Sequence, residues 1–132
     1  MFEGKRPSNL GVSAGRLGPC PKKPNCVSSQ AIDEAHRIAP ISYAGRANET
    51  MARLKSILTA MPRVTVITES ADYLHAECKS AVLGFVDDLE LYVDRAANVV
   101  HVRSASRVGY SDLGVNRKRV EAIRSSLSSG GR

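Results

Sequence analysis

Residues 64–105 hold four strand-like runs joined by links too short for a parallel crossover. Val64 to Glu69 is β-branched through its centre. Tyr73 to Cys78 alternates Tyr73, His75 and Glu77 with Leu74, Ala76 and Cys78. Phe85 to Asp94 and Val99 to Ala105 follow, the last link being Arg95-Ala96-Ala97-Asn98. Parallel neighbours need a connection of about a dozen residues or more, so these strands must pair antiparallel. Side chains fix the register of the last hairpin. With Asp94 opposite Val99, Val93 meets Val100 and Leu91 meets Val102, which makes one apolar face. The other face then pairs Tyr92 with His101 and Glu90 with Arg103, with Asp88 next along. A slip of one residue scatters both sets, so the pattern selects this register.

Two amphipathic helices flank the strands. Met51, Leu54, Leu58 and Met61 form one stripe, with Ile57 beside it, Asn48 as its expected N-cap and Pro62 as its stop. The second stripe is Val120, Ile123 and Leu127. With Asn116 as N-cap, Val115 and Val120 would form a hydrophobic staple. A short edge strand is expected over Ile38 to Tyr43, where Pro40 is tolerated. The expected fold is α+β: a mainly antiparallel sheet of four or five strands, two helices on one face, and an extended N-terminal arm. Residues 1–16 read as a flexible arm, 17–127 as a single domain and 128–132 as a disordered tail. The polar face carries His75, Glu77, Asp88, Glu90, Tyr92, His101 and Arg103, and is either wet or covered by the arm.

The 132 residues suit one domain. No apolar run approaches the ~20 residues of a membrane helix. Net charge is +6, unevenly spread: residues 101–132 carry +5 and residues 38–100 carry −2. That asymmetry serves an anionic partner, or the segments neutralise each other within the fold. Nucleic-acid binding is not expected, because interleaved exposed aromatics and a reading motif are lacking. The first residues have no apolar segment of a secretory signal, which suggests a cytoplasmic protein with reduced cysteines. Cys20 and Cys26 fit neither a redox pair nor a zinc spacing, so no metal or cofactor is expected. A buried Cys26, or a disulfide to Cys20 in an oxidising setting, stays open.

Chemistry concentrates late in the chain. Arg117, Lys118 and Arg119 crowd the start of a helix whose dipole is already positive there. An anion must compensate: Asp112, the set Asp87, Asp88 and Glu90, or a ligand on the helix N-terminus. The preceding loop, residues 104–114, supplies hydroxyls, an arginine and glycines. The candidate site for an anionic small molecule or acidic protein surface is therefore Arg103, Ser104, Ser106, Arg107 and Arg117. Arg107 and Arg117 would hold the anion and the two serines would donate. Asp87, on the core side of its strand, needs a cation such as Arg107 or Arg117. A non-enzymatic module is the leading reading. The alternatives are a small enzyme using Cys26 as nucleophile or Asp88, Glu90 and His101 for acid-base chemistry, and a purely structural domain.

Three motifs resemble a known family. They are Cys20-Pro21 to Pro24-Asn25-Cys26-Val27-Ser28-Ser29, then Phe85-Val86-Asp87-Asp88 with Glu90, then Arg103 through Arg117. The pattern is similar to domain-of-unknown-function family 1499, of bacteria and plants, over about residues 17–127. The resemblance implies no activity. It implies that the motifs meet in one polar cluster, for which Asn25, Cys26, Asp87, Arg107, Asp112 and Arg117 are the candidates. It also implies export or membrane-anchoring leaders on some relatives.

Overall fold

The structure, a computed structural model, describes residues 3–129. Chain order is β1 (Val12–Ser13), β2 (Arg16–Leu17), β3 (Cys26–Ser28), β4 (Ile41–Ser42), α1 (Ala47–Ala60), β5 (Val64–Glu69), β6 (Tyr73–Lys79), β7 (Val86–Asp94), β8 (Val99–Ser106) and α2 (Val115–Ser129). β1 and β2 make a small hairpin. The other six strands form one antiparallel sheet in the order β3-β8-β7-β6-β5, with β4 also on β8. It is an α+β fold with one more sheet strand than the upper expectation, because β3 adds to the edge of β8.

The β7–β8 register pairs Asp94 with Val99, Val93 with Val100, Tyr92 with His101, Leu91 with Val102 and Glu90 with Arg103, as expected. Asp94 Oδ1 accepts the N–H groups of Ala96 and Ala97, both at 3.1 Å, which closes the turn. Asn98 supplies the left-handed residue at φ 56°.

Both helices cover the apolar face. Leu54 and Leu58 of α1 and Val120, Ile123 and Leu127 of α2 join Leu74, Ala76, Leu89, Leu91, Val93, Val100 and Val102 in one core. The 3.6-residue spacing of the helical set and the two-residue spacing of the strands bring these side chains together. Arg53 of α1 donates to the Leu127 carbonyl, tying the middle of α1 to the last turn of α2.

Three local expectations are corrected. The N-cap of α1 is Arg46, which makes no side-chain cap bond; Asn48 instead accepts from Arg95 at 2.7 Å. Asp112 caps α2, accepting from the N–H groups of Gly114 at 2.9 Å and Asn116 at 3.1 Å. Asn116 is thus inside the first turn and buried, and Val115 is half exposed rather than stapled. The strand expected over 38–43 shrinks to Ile41–Ser42, because Arg124 takes the carbonyls of Ala39 and Pro40. α2 runs through Ser129, into the expected tail; residues 130–132, like residues 1 and 2 of the arm, lie outside the described residues.

The sheet's second face is covered rather than wet. The arm lies across it: Glu3 pairs with Lys79, Arg6 with Glu77, and the Gly11 N–H donates to Glu90 Oε2 at 2.7 Å. The seat is close at Gly18, where an added Cβ would stand 2.6 Å from the Asn9 carbonyl and 2.9 Å from Arg103 Nη1.

Candidate functional site

The residues expected to form one site divide between the two faces of the sheet. Strand alternation sends Arg103 and Arg107 to the arm side and Ser104 and Ser106 to the helix side. Arg117 stands elsewhere, exposed on α2 and donating to the carbonyls of Arg37 and Ala35.

The arm side is an ionic layer. Arg103 donates to Glu90 at 2.8 Å and to the Pro19 and Asn9 carbonyls at 2.9 and 3.2 Å. Glu90, fully buried, also accepts from Tyr73. Arg107 holds Asp88 with two bonds, at 2.7 and 2.8 Å, and Glu77 with a third. His75 Nε2 meets Asp88 Oδ1 at 2.7 Å. Burial would raise the Asp88 carboxyl, but Arg107 and His75 outweigh it and hold it below the usual range. Glu77 is likewise lowered by Arg107 and Arg6 against its burial. Burial and then Glu90 push the Tyr73 hydroxyl upward. His75, Glu77 and Asp88 could in principle gather a metal ion, but the Arg107 guanidinium already bonds both carboxylates. His101 bonds Ser29 Oγ at 3.1 Å. The three residues considered for acid-base chemistry therefore each have their own partners: Arg107 and His75 for Asp88, Arg103 and Tyr73 for Glu90, and Ser29 for His101. Cys26 is buried and joined to Cys20 by a disulfide, Cα atoms 5.7 Å apart, so its sulfur is not a free thiol.

The helix side carries a second cluster, centred on Asn116. Its Nδ2 donates to Asp112 at 2.7 Å, Ser106 at 3.0 Å and the Asn25 carbonyl at 3.2 Å. Its Oδ1 accepts from Ser104 and from Arg119, both at 2.7 Å. Arg119 also pairs with Asp87 at 2.9 Å. The cation for Asp87 is therefore Arg119, not Arg107 or Arg117; Arg107 lies across the sheet and Arg117 points along α2 to residues 35–37. Burial raises the Asp87 carboxyl despite Arg119 and Ser106. Asp112 stays low, because the Gly114 and Asn116 groups outweigh its burial. Asn25 donates to the Gly109 carbonyl at 3.0 Å, and its buried Oδ1 has no partner among the described residues. Asn25, Asp87 and Asp112 thus gather around Asn116. The sequence marked Asn116 only as an N-cap and Arg119 only as one of three basic residues at the helix start, although both continue the α2 stripe by one turn. A polar residue on an apolar stripe is the signal that marks them.

Above this cluster opens a cleft of about 900 Å³. Asp87, Ser106, Cys78 and Arg119 lie at its polar end. Met61, Val64, Phe85, Val108, Leu113 and Val115 make its apolar walls, with Arg63, Lys79 and Ser111 on the rim. Burial pushes the Cys78 thiol up to about 11, so it is a poor nucleophile. Ser80 closes one loop through bonds to the Phe85 backbone. The Asp112 cap closes the other and leaves Leu113 in the left-handed region at φ 55°, 87% exposed. Among the described residues nine large apolar side chains are exposed, and seven of them, Val82, Leu83, Phe85, Val108, Tyr110, Leu113 and Val115, belong to these two loops or the first residue of α2.

A family model described as "Protein of unknown function (DUF1499)" matches residues 16–127. No curated protein matches the chain.

Proposed function

Because the chain belongs to the DUF1499 family, described only as proteins of unknown function, its geometry has to supply the reading, and we propose a non-enzymatic module that binds an anionic amphipathic small molecule in the cleft between loops 80–85 and 107–114. The observation that carries this is the concentration of exposed apolar side chains around one opening with a buried polar end. The apolar body of the ligand packs on Phe85, Val108 and Val115. Its anionic group faces Arg119 at the polar end, with Arg63 on the rim. Asp87 competes for Arg119, and its raised carboxyl lets it take a proton as the anion arrives, so binding strengthens toward acid pH. Arg103 and Arg107 serve the fold in this reading, since carboxylates and arm carbonyls already occupy them. The Cys20–Cys26 disulfide supports an oxidising setting over the cytoplasm. No helix is long and apolar enough to cross a membrane.

The test is titration with the fluorescent amphiphile 1-anilinonaphthalene-8-sulfonate, beside native mass spectrometry of gently purified protein. Saturable binding at one site, weakened at least tenfold by Val108→Asp with the fold intact, is expected. Binding that is absent, or indifferent to Val108→Asp, would overturn the reading.

A further inference from the structure

We propose that the tips of loops 80–85 and 107–114 dock the protein on an anionic lipid surface. The cleft does not account for these tips. Val82 is 89% exposed and Tyr110 70% exposed, and neither lines the cleft. Leu83 stands beside Val82, and Leu113 projects from its left-handed backbone next to Tyr110. Single exposed apolar residues are ordinary, and Ile32 is one of them; four on two loops that flank one opening form a patch.

Charge selects the occupant. Arg63 is exposed and lines the opening, and Lys118 is exposed in the first turn of α2, three residues after Val115; Lys79, also at the opening, is paired with Glu3. The cleft carboxylates are already engaged, Asp87 by Arg119 and Asp112 by the start of α2. Among the described residues, what is left there without a carboxylate partner is Arg63 at the opening and Lys118 on α2, beside apolar tips. An anionic bilayer matches both parts, with headgroup charge for the cations and the acyl boundary for Val82, Leu83 and Leu113. Tyr110 suits the interface, where an amphipathic ring keeps one end wet. An acidic protein surface would match the cations and leave the tips without apolar cover. The inference goes beyond the cleft reading, because the tips and the cleft walls are different residues apart from Leu113.

The test is sedimentation of the full chain with vesicles of phosphatidylglycerol and phosphatidylcholine, and with phosphatidylcholine alone. Val82→Asp combined with Tyr110→Asp is expected to lower the partition coefficient at least about tenfold, the scale of burying such side chains. Lys118→Glu is expected to lower it about fivefold on anionic vesicles only. Ile32→Asp is the control and leaves it unchanged. These positions are exposed, so the circular dichroism melting curves should overlay. No sedimentation with anionic vesicles overturns the proposal. So does equal binding to neutral vesicles, a double variant that binds like the native protein, or an equal loss with Ile32→Asp. Because Val108→Asp probes the cleft and the double variant probes the tips, failure of one reading is distinguishable from failure of the other.

Discussion

Replacing Arg107 with methionine removes one buried cation from two carboxylates at once. The methionine keeps the apolar stem and loses the two bonds to Asp88 and the one to Glu77. Asp88 is then buried with His75 as its side-chain partner, while Glu77 keeps Arg6. Breaking a buried pair from one side costs about 3–5 kcal/mol, because the remaining charge is left without compensation. A domain of this kind has roughly 5–15 kcal/mol in total, so the melting midpoint should fall by roughly 10–20 °C. The pH dependence gives a second check. In the native protein Asp88 is held below its ordinary 3.8, so its stabilisation is present above that value and disappears as pH falls through the lower folded one. Without Arg107, burial is opposed by His75 alone, so the carboxyl titrates higher than in the native protein. Protonation then costs the folded variant less than the native protein, and its deficit narrows as pH falls from 7 to 4. Urea denaturation followed by circular dichroism at both pH values measures this. A deficit below about 1 kcal/mol at pH 7, or one that stays constant to pH 4, would refute the reasoning.

Asp112→Ala should cost about 1–2 kcal/mol through loss of the α2 cap, and flatten stability between pH 5 and 3, since the lowered Asp112 contributes only above its folded value; equilibrium unfolding across that range checks both. Reducing the Cys20–Cys26 bond should lower stability by roughly 2 kcal/mol, as the loop it closes is short. Cys78, buried with a raised thiol, should still label slowly under native conditions. Gly18→Ala should displace the arm, because the new Cβ meets a backbone carbonyl that cannot yield locally. Hydrogen exchange at the Gly11 amide would then speed up at least about tenfold.

The sheet was legible because its periodicity is redundant. Val93, Leu91 and Val102 fix the register from one face, and Glu90 with Arg103 fix it again from the other. The helix stripes were legible for the same reason. Helix starts were not: Arg46 holds the start of α1 by extended backbone with no side-chain bond, and Asp112 caps α2 with its carboxylate, while Asn48 and Asn116 are equally good cap residues by type. The candidate site was half legible. Residues 104–114 do flank the cleft, yet Arg103 and Arg107 turn away from Ser104 and Ser106 by the same alternation that fixed the register. Asp87 was expected to need a cation, but three basic residues begin α2, and only the three-residue spacing from Asn116 to Arg119 brings the right one to it. Cys20 and Cys26 carry no pattern that states their pairing; the chain path from Gly18 to β3 decides it.

The arm across the ionic face has a consequence for the order of folding. Its bonds span 71 residues from Arg6 to Glu77 and 94 from Asn9 to Arg103, so it cannot seat until β6, β7 and β8 exist. The arm is made before those strands and docks after them. In the interval the uncovered sheet shows water a layer of carboxylates, guanidinium groups and imidazoles instead of an apolar surface. A sheet waiting for a hydrophobic cover would be adhesive at that stage. This one waits in a form that neighbouring chains have little reason to bind.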